Sequence, residues 1–376
     1  MNQGPYPGVW LPGDDPGRRL FTAVRPGGDS GLSLEGGGHL AKVTVAYEVW
    51  GELDAARSNG VLVLHALTGD SHAVGPAGSG HGLAGWWDGL VGPGAPIDTN
   101  RYFVVCPNVL GGCYGTTGPA SEAPDGELYG SRFPVITIRD QVAVEVALAD
   151  TLGIETWAAV IGGSMGGMRV LEWCIDQPDR VARAVVLSVG AAASADQIAL
   201  ASLQVRAIRS DPAFRGGDYY GTDARPVEGL SLARGIGQYS YRTGAEFEDR
   251  FGRTPQDEED PLKGGRYSIE SYLQHHGEKL AQRFDPNSYI LLSEAMNHHH
   301  VGRGRGGNAH ALRRVKAEVT VAGIASDRLY PLHQQEDLAR LLPGRPVVHV
   351  IDSESGHDGF LLEIDQVGRV ISAALA

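Results

Sequence analysis

The chain has 376 residues and a formal net charge of −13, so it can bury a large core, or one core with a sizeable insertion. The negative charge argues against binding to nucleic acid or to an anionic membrane surface, and no apolar run is long enough for a transmembrane helix. The first residues lack a signal peptide's positive and apolar regions, and Cys106, Cys113 and Cys174 show no metal-ligand spacing; we therefore expect a reduced, cytoplasmic, disulfide-free protein.

Strand and helix patterns alternate through the first half of the chain. Alternating or continuous apolar runs predict strands at residues 20–24, 41–50, 61–67, 102–107, 157–161 and 182–189. Helical periodicity predicts helices at residues 137–153 and 165–177. This alternation indicates a mostly parallel sheet with crossover helices.

The pattern changes after Gly190. Residues 191–316 lose the buried-strand runs, and helices are expected at residues 196–210, 229–243, 268–284 and 285–297. Strands are predicted again at residues 318–324 and 346–351, with helices at residues 332–342 and 360–374. We therefore expect a core domain of residues 1–190 and 317–376, with residues 191–316 forming a helical cap domain over the C-terminal edge of the sheet.

A Gly-Gly-Ser-Met-Gly-Gly sequence at residues 162–167 lies between a predicted strand and a predicted helix. That context is typical of a nucleophile elbow, the strained strand-to-helix turn that presents a serine in the α/β-hydrolase fold. The glycines allow strand and helix to approach closely. The fold class predicted is α/β-hydrolase, a mostly parallel central sheet flanked by helices with a helical cap, and Ser164 is the candidate nucleophile.

The partners of Ser164 follow from the chain order serine, acid, histidine of this fold. Asp327 follows the first strand after the cap, where it is expected to orient the base; the alternative is that it only begins a turn. His357 follows the last strand and is the candidate general base and acid. The oxyanion hole is expected from the backbone N–H groups of Met165 and Leu67.

A run of three histidines, His298-His299-His300, raises the question of a metal site. No carboxylate or cysteine ligand spacing accompanies the run, so a solvated or structural cluster is favoured and no metal is expected.

Several sequence blocks resemble the homoserine O-acetyltransferase family of the α/β-hydrolase superfamily. They lie at residues 65–69, 108–119, 162–167, 234–242, 284–289 and 302–307. The resemblance extends over about residues 40–370 and implies a cytoplasmic homodimer of methionine biosynthesis with no bound cofactor, joined through the helical cap.

The resemblance also implies a ping-pong reaction. Ser164 would take the acetyl group from the co-substrate acetyl-CoA, and the hydroxyl of L-homoserine would then accept it. Arg234 would bind the homoserine carboxylate, and Asp358 would bind its α-ammonium. From the residues alone, a surface ion pair is the favoured interpretation of Arg234, and a cap of the helix that follows is that of Asp358.

Two other activities are compatible with the sequence. A homoserine O-succinyltransferase would use the same fold with a different acyl donor. A carboxylesterase would use the same serine and would not depend on an amino-acid acceptor.

Overall fold

The computed structural model describes residue 10 and residues 14–376. Eight strands form one sheet: β1 (Leu20–Val24), β2 (Val43–Trp50), β3 (Gly60–Leu64), β4 (Phe103–Pro107), β5 (Ala159–Gly163), β6 (Arg183–Leu187), β7 (Glu318–Ile324) and β8 (Val348–Ile351). They lie in the order β1-β2-β4-β3-β5-β6-β7-β8. β2 is antiparallel to β1 and β4, and all other neighbours are parallel.

Eleven helices are described around this sheet: α1 (Ile138–Leu152), α2 (Met165–Asp176), α3 (Ala195–Arg209), α4 (Val227–Tyr241), α5 (Gly244–Arg250), α6 (Ser268–Ala281), α7 (Pro286–Asn297), α8 (Asn308–Leu312), α9 (Leu332–Leu341), α10 (Gly359–Leu362) and α11 (Ile364–Leu375). Short 3-10 helices occur at Gly28–Ser30, Gly130–Arg132, Pro212–Gly217, Pro261–Lys263 and Gly356–Asp358. Two small two-stranded sheets pair Leu32–Ser33 with His39–Leu40 and Val91–Gly92 with Ile97–Asp98.

The central strands are buried on both faces. Along β3, Leu62 and Leu64 pack into one apolar cluster, while Val61 and Val63 pack into a second cluster on the opposite face. The first cluster contains apolar residues of α1, α2 and α9, and the second contains those of α11. Helices therefore cover both faces of the sheet, which confirms the predicted fold class.

Helices α3 to α8 lie between β6 and β7. α4 packs against α3 and α6, and α3 packs against α7. The apolar cluster on the α1/α2 face continues into these helices through Leu230, Phe284 and Tyr289. The division into a core domain and a cap domain stays a prediction.

Several element boundaries differ from those predicted. β3 ends at Leu64 and does not continue to residue 67, and β5 begins at Ala159 and continues through Gly163. The helix predicted at residues 360–374 is two helices, because the backbone of Glu363 departs from helical geometry (φ −85°, ψ 57°). The sequence patterns did not predict α5 and α8. Among the described residues, we find no helix with the length and apolarity needed to cross a membrane.

Candidate active site

Ser164 is the single residue between the end of β5 and the start of α2. Its backbone has φ 54° and ψ −123°, a conformation that a residue with a side chain rarely adopts. The serine is 5% exposed. The turn therefore holds the hydroxyl at the C-terminal edge of the sheet, at the N-terminus of α2.

Two glycines allow the sharp turn. A Cβ on Gly166 would lie 2.0 Å from the carbonyl oxygen of Leu64 in β3, and a Cβ on Gly162 would lie 2.6 Å from the carbonyl carbon of Gly166. Neither distance is compatible with a side chain. The glycines of the motif thus let α2 pack directly on the backbone of β3 and β5.

The structure brings Ser164, His357 and Asp327 into one hydrogen-bonded chain. His357 Nε2 lies 2.9 Å from Ser164 Oγ, and His357 Nδ1 lies 2.7 Å from Asp327 Oδ2. All three residues are at most 5% exposed. With a proton on Nδ1, Nε2 has a lone pair directed at the serine hydroxyl, which is the arrangement that activates a serine.

Asp327 makes two kinds of contact through its two oxygens. Oδ1 accepts hydrogen bonds from the backbone N–H groups of Leu329 and Tyr330, each at 2.8 Å, while Oδ2 faces His357. The residue therefore does begin a turn, as the alternative supposed. The same turn fixes the carboxylate so that its second oxygen reaches the imidazole.

His357 is packed between aromatic rings and carboxylates. The ring of Tyr330 stacks on the imidazole with centroids 5.0 Å apart, and Phe360 meets it edge-on. Burial by itself lowers the pKa of His357, but the Asp327 carboxylate, with a smaller contribution from Asp358, outweighs it and raises the pKa above its ordinary value.

The loop after β3 carries Leu67, one of the two residues predicted to form the oxyanion hole. The chain leaves the sheet at His65, whose Nε2 accepts a hydrogen bond from the N–H of Val109, and whose carbonyl accepts one from Arg169. Burial lowers the pKa of His65 to about 3, so this ring is neutral and can accept that hydrogen bond. These long-range contacts explain why the strand is shorter than predicted.

Met165 is the other residue predicted to form the oxyanion hole. It begins α2, where helix geometry leaves backbone N–H groups without intrahelical partners. Met165 thus follows Ser164 at a helix N-terminus, and Leu67 lies in the loop after β3 and lines the same cavity as Ser164. Their role in an oxyanion hole stays a prediction.

Ser164 and His357 open onto a cavity of about 240 Å³. Leu67, Arg234 and Asp358 also line it, so the residues predicted to bind the acceptor face the same space as the candidate nucleophile. Asp327 supports His357 from behind. The remaining walls come partly from helices α3, α4 and α7 and partly from loops at the edge of the sheet and from α10.

Arg234 projects from α4 into this cavity. Its guanidinium donates to Gln238 Oε1 at 2.8 Å and lies over the ring of Tyr241, 5.1 Å from the ring centroid. Gln238 in turn donates to the hydroxyl of Tyr272. The side chain is therefore held by a neutral amide and an aromatic ring on the cavity wall, which does not fit a surface ion pair.

Asp358 directly precedes α10 but makes no side-chain cap hydrogen bond there. Its Oδ2 accepts from Arg242 Nε at 3.1 Å. Burial raises the pKa of Asp358, although Arg234, Arg242 and His357 act in the opposite direction. The carboxylate belongs to the cavity and not to the helix cap.

Gln238, Tyr241 and Arg242 were missed at the level of sequence. Arg234, Gln238 and Tyr241 are spaced four and three residues apart on α4, so they share one helix face. That spacing was a usable signal once Arg234 had been placed at the site. Arg242 follows the last residue of α4, and its contact with Asp358 spans 116 positions, which leaves no local signal.

Among the residues that the structure describes, one group of buried side chains has donor atoms close enough to hold a metal ion, and it lies outside the histidine run. Donor atoms of Glu48, His72 and His81 all lie within 4.8 Å of one another. Both oxygens of Glu48 are already engaged, however, since Oε2 lies 3.0 Å from His72 Nδ1 and Oε1 accepts from Ser71 Oγ at 3.0 Å. The backbone N–H of Arg18 donates to His81 Nε2, and the Arg19 guanidinium lies beside the same ring. The chemistry of the group fits a hydrogen-bond network beside two arginines better than a cation site.

The histidine run and the Gly-Arg segment have structural contacts. His299 is buried, and its Nε2 lies 3.0 Å from the carbonyl oxygen of Gly190. Arg305 pairs with Glu172 and Asp176 of α2. Residues 298–307 therefore hold this part of the chain against α2 and the loop after β6.

Comparison with known proteins decides the family. The chain matches the alpha/beta hydrolase fold family over residues 60–364. It is 58% identical over 373 residues to the homoserine O-acetyltransferase of Thermobifida fusca (strain YX), covering 99% of this chain and 97% of that protein. It is 57% identical over 344 residues to the enzyme of the same name from Mycolicibacterium smegmatis, covering 92% and 90%. The chain belongs to the homoserine O-acetyltransferase family.

Solved structures agree with this family and show how widely its fold is used. The homoserine O-acetyltransferase of Bacillus anthracis superposes with a TM-score of 0.86 at 28% identity, covering 95% of this chain and 97% of that one. Esterase E22 superposes with a TM-score of 0.85 at 27% identity, covering 95% and 100%. The predicted homoserine O-acetyltransferase family and its acyltransferase class are confirmed.

Proposed function

We propose that the chain transfers an acetyl group from acetyl-CoA to the side-chain hydroxyl of L-homoserine through an acyl-enzyme on Ser164. The observation that carries the proposal is the Ser164–His357–Asp327 chain opening onto a cavity that also contains Arg234 and Asp358. A hydrolase needs only Ser164, His357 and Asp327. The paired cation and anion beside it suit a zwitterionic acceptor.

In the first half-reaction, Ser164 Oγ attacks the thioester carbonyl while His357 Nε2 takes the hydroxyl proton. The N–H groups of Leu67 and Met165 would hold the negative charge that develops on the carbonyl oxygen. The carbon–sulfur bond then breaks, and the CoA sulfur leaves as the thiol with the proton from His357. The acetyl group remains as an ester on Ser164.

In the second half-reaction, the hydroxyl of homoserine gives its proton to His357 Nε2 and attacks the acetyl ester. The bond between the acetyl carbon and Ser164 Oγ breaks, and the serine recovers the proton from His357. The product is O-acetyl-L-homoserine. By the family resemblance, the reaction belongs to methionine biosynthesis. No external oxidant, reductant or metal is required by this balance.

Arg234 and Asp358 would orient the acceptor. A guanidinium can bind the homoserine carboxylate through two parallel hydrogen bonds, and a carboxylate can bind the α-ammonium. Walls built from α3, α4 and α7 surround the acyl-enzyme. A bound alcohol held next to the ester is then favoured over bulk water.

We further propose a homodimer joined through the cap and a cytoplasmic location, with no bound cofactor or metal. Exposed apolar side chains on the cap helices support the dimer: Leu203 is 54% exposed and Leu232 is 59% exposed.

Carboxylesterase activity is not favoured, because the relatives at 53–58% identity are named homoserine O-acetyltransferases, although esterase E22 shares the fold over nearly the whole chain. An esterase should turn over simple esters at a rate that L-homoserine does not change. The proposed transferase should instead release CoA rapidly only when L-homoserine is present. Comparing the steady-state rate of CoA release with and without L-homoserine separates the two, and equal rates would overturn the proposal.

The donor is acetyl-CoA in this proposal because the relatives at 53–58% identity are named acetyltransferases. Succinyl-CoA is the alternative donor. The two are compared by measuring kcat/KM for each acyl-CoA at saturating L-homoserine. A higher value for succinyl-CoA would contradict the acetyl assignment.

A further inference from the structure

Three consecutive residues at the end of α4 contact the loop that carries His357. The carbonyl oxygen of Tyr241 lies where a Cβ on Gly356 would approach to 2.6 Å, and Thr243 Oγ1 donates to the carbonyl of Glu354 at 2.7 Å. Between them, Arg242 reaches Asp358. The end of α4 is therefore fastened to the loop of the candidate base by these contacts.

Arg242 bridges two carboxylates with separate nitrogens. Its Nε lies 3.1 Å from Asp358 Oδ2, and its NH1 group lies 2.9 Å from Glu246 Oε1. The Arg242 side chain is 13% exposed, and those of Asp358 and Glu246 are 17% and 9% exposed. Arg250 closes the row by pairing with the same oxygen of Glu246 at 2.7 Å.

The two residues proposed to bind the acceptor are thus held differently. Asp358 has a cation in permanent contact through one of its oxygens, which leaves the other oxygen able to accept from a ligand. Arg234 donates to the neutral amide of Gln238. The contact with Arg242 therefore favours the ionised form of Asp358 before an ammonium group arrives, while the guanidinium of Arg234 is hydrogen-bonded only to a neutral amide.

We propose that Arg242 is a positioning residue of the acceptor half-reaction, which holds the Asp358 carboxylate ionised and aimed so that it binds the α-ammonium of the amino-acid acceptor. The inference rests on the proposed function. Arg242 itself does not line the cavity wall formed by Arg234, Tyr241 and Asp358, so it acts through Asp358 and does not touch the substrate.

The proposal has a consequence for pH dependence. The charged or titratable groups that face Asp358 are Arg234, Arg242, His357 and Tyr241, and Glu246 lies on the far side of Arg242. Burial raises the pKa of Asp358, and Arg234 and Arg242 oppose the rise, Arg242 also through its hydrogen bond. Removing the Arg242 guanidinium should raise the pKa of Asp358 further. As the pH falls, Asp358 should then be protonated, and ammonium binding lost, at a higher pH than in the unsubstituted protein.

The experiment compares Arg242→Gln and Arg242→Lys with Arg250→Gln as the matched control. Arg250 belongs to the same row of ion pairs but does not contact Asp358. For each protein, the rate of acetyl-enzyme formation with acetyl-CoA alone is measured by quenched-flow mass spectrometry. The kcat and KM for L-homoserine, the pH profile of kcat/KM for L-homoserine, and acetyl transfer to 1-propanol are then measured.

We expect Arg242→Gln to raise the KM for L-homoserine by about tenfold or more, as for loss of a charge-assisted hydrogen bond. The rates of acetyl-enzyme formation and of acetyl transfer to 1-propanol should stay within about twofold of those of the unsubstituted protein. Neither step involves an ammonium group, so neither should need the Asp358 contact. The acid limb of the homoserine profile should move to higher pH. Arg242→Lys should keep the acid limb near its original position with an intermediate KM, because it keeps the charge but cannot bridge both carboxylates.

An unchanged KM for L-homoserine and an unchanged acid limb in Arg242→Gln would overturn the inference. It would also be overturned if acetyl-enzyme formation and propanol transfer fell as much as the use of L-homoserine, because such a general loss indicates a role in folding. The same shift in Arg250→Gln would also overturn it. Failure of the proposed function is seen separately, in the unsubstituted protein, as the absence of an acetyl-enzyme or of saturation by L-homoserine.

Discussion

His357 Nε2 lies 2.9 Å from Ser164 Oγ although the two residues are 193 positions apart in the chain. The separation exists because the whole cap segment is inserted between β6 and β7. The sheet brings the two residues back together, since Ser164 follows β5 and His357 follows β8 at the same edge. The insertion then supplies part of the wall of the space into which both side chains open.

Asp327→Asn should lower kcat by about 10⁴-fold, since an amide favours the wrong imidazole tautomer while the shape of the site is kept. The two backbone hydrogen bonds to Oδ1 can persist, so the turn after β7 should survive. Steady-state kinetics with both substrates, together with a circular dichroism spectrum, checks this. A variant with nearly full activity would show that Asp327 does not orient the base.

The rate of acetyl-enzyme formation should depend on pH through His357. The general base must be neutral, and its pKa is raised above the ordinary value of about 6.5 by Asp327. Acetylation should therefore decline as pH falls through this raised value, and the acid limb should lie above that of an unperturbed histidine. The measurement is single-turnover acetylation across pH. An acid limb below pH 6 would contradict the account.

Arg234→Ala should mainly impair use of L-homoserine. Loss of the guanidinium removes the proposed carboxylate contact, so the KM for homoserine should rise by about tenfold to 10²-fold. Acetylation by acetyl-CoA alone should change far less, because the first half-reaction does not involve the acceptor. The two half-reactions are measured separately. Retention of the original homoserine KM would remove Arg234 from the acceptor site.

The buried ion pair between Arg169 and Glu145 should be important for stability. Its N···O distance is 2.6 Å, and the two side chains are 0% and 4% exposed. Arg169→Met leaves Glu145 buried without its cation, which should cost about 3–5 kcal/mol in the free energy of unfolding. The free energy of unfolding of the variant and of the unsubstituted protein is measured by urea denaturation.

The matched control for that substitution is Lys316→Met, which breaks the exposed ion pair with Asp179. This change should leave the denaturation midpoint almost unmoved. Similar midpoints for the two variants would show that burial of the Arg169–Glu145 pair contributes little.

The sequence predicted the elements that are determined by local patterns. The strand at residues 318–324 was predicted to the residue, because its apolar run is bounded by charge on one side and a turn on the other. α1 was predicted within one residue at each end, with Thr137 as its N-cap and Gly153 as its C-cap. The order of Ser164, Asp327 and His357 followed from the strands that precede them.

What the sequence could not predict depends on contacts between distant residues. The strand predicted to reach residue 67 ends at Leu64, because His65 is drawn out of the sheet by Val109 and Arg169. The contact of Arg242 with Asp358 joins the cap to the loop after β8 and has no local pattern. Such pairings become visible only once the sheet has set the positions of the loops.

The central claim is that Ser164 carries the acyl group. The most direct measurement is intact-protein mass spectrometry after mixing the enzyme with acetyl-CoA alone, followed by peptide mapping. We expect a mass increase of one acetyl group located on Ser164, its removal on addition of L-homoserine, and no adduct in Ser164→Ala. An adduct that persists in Ser164→Ala, or one that L-homoserine does not discharge, would contradict the account.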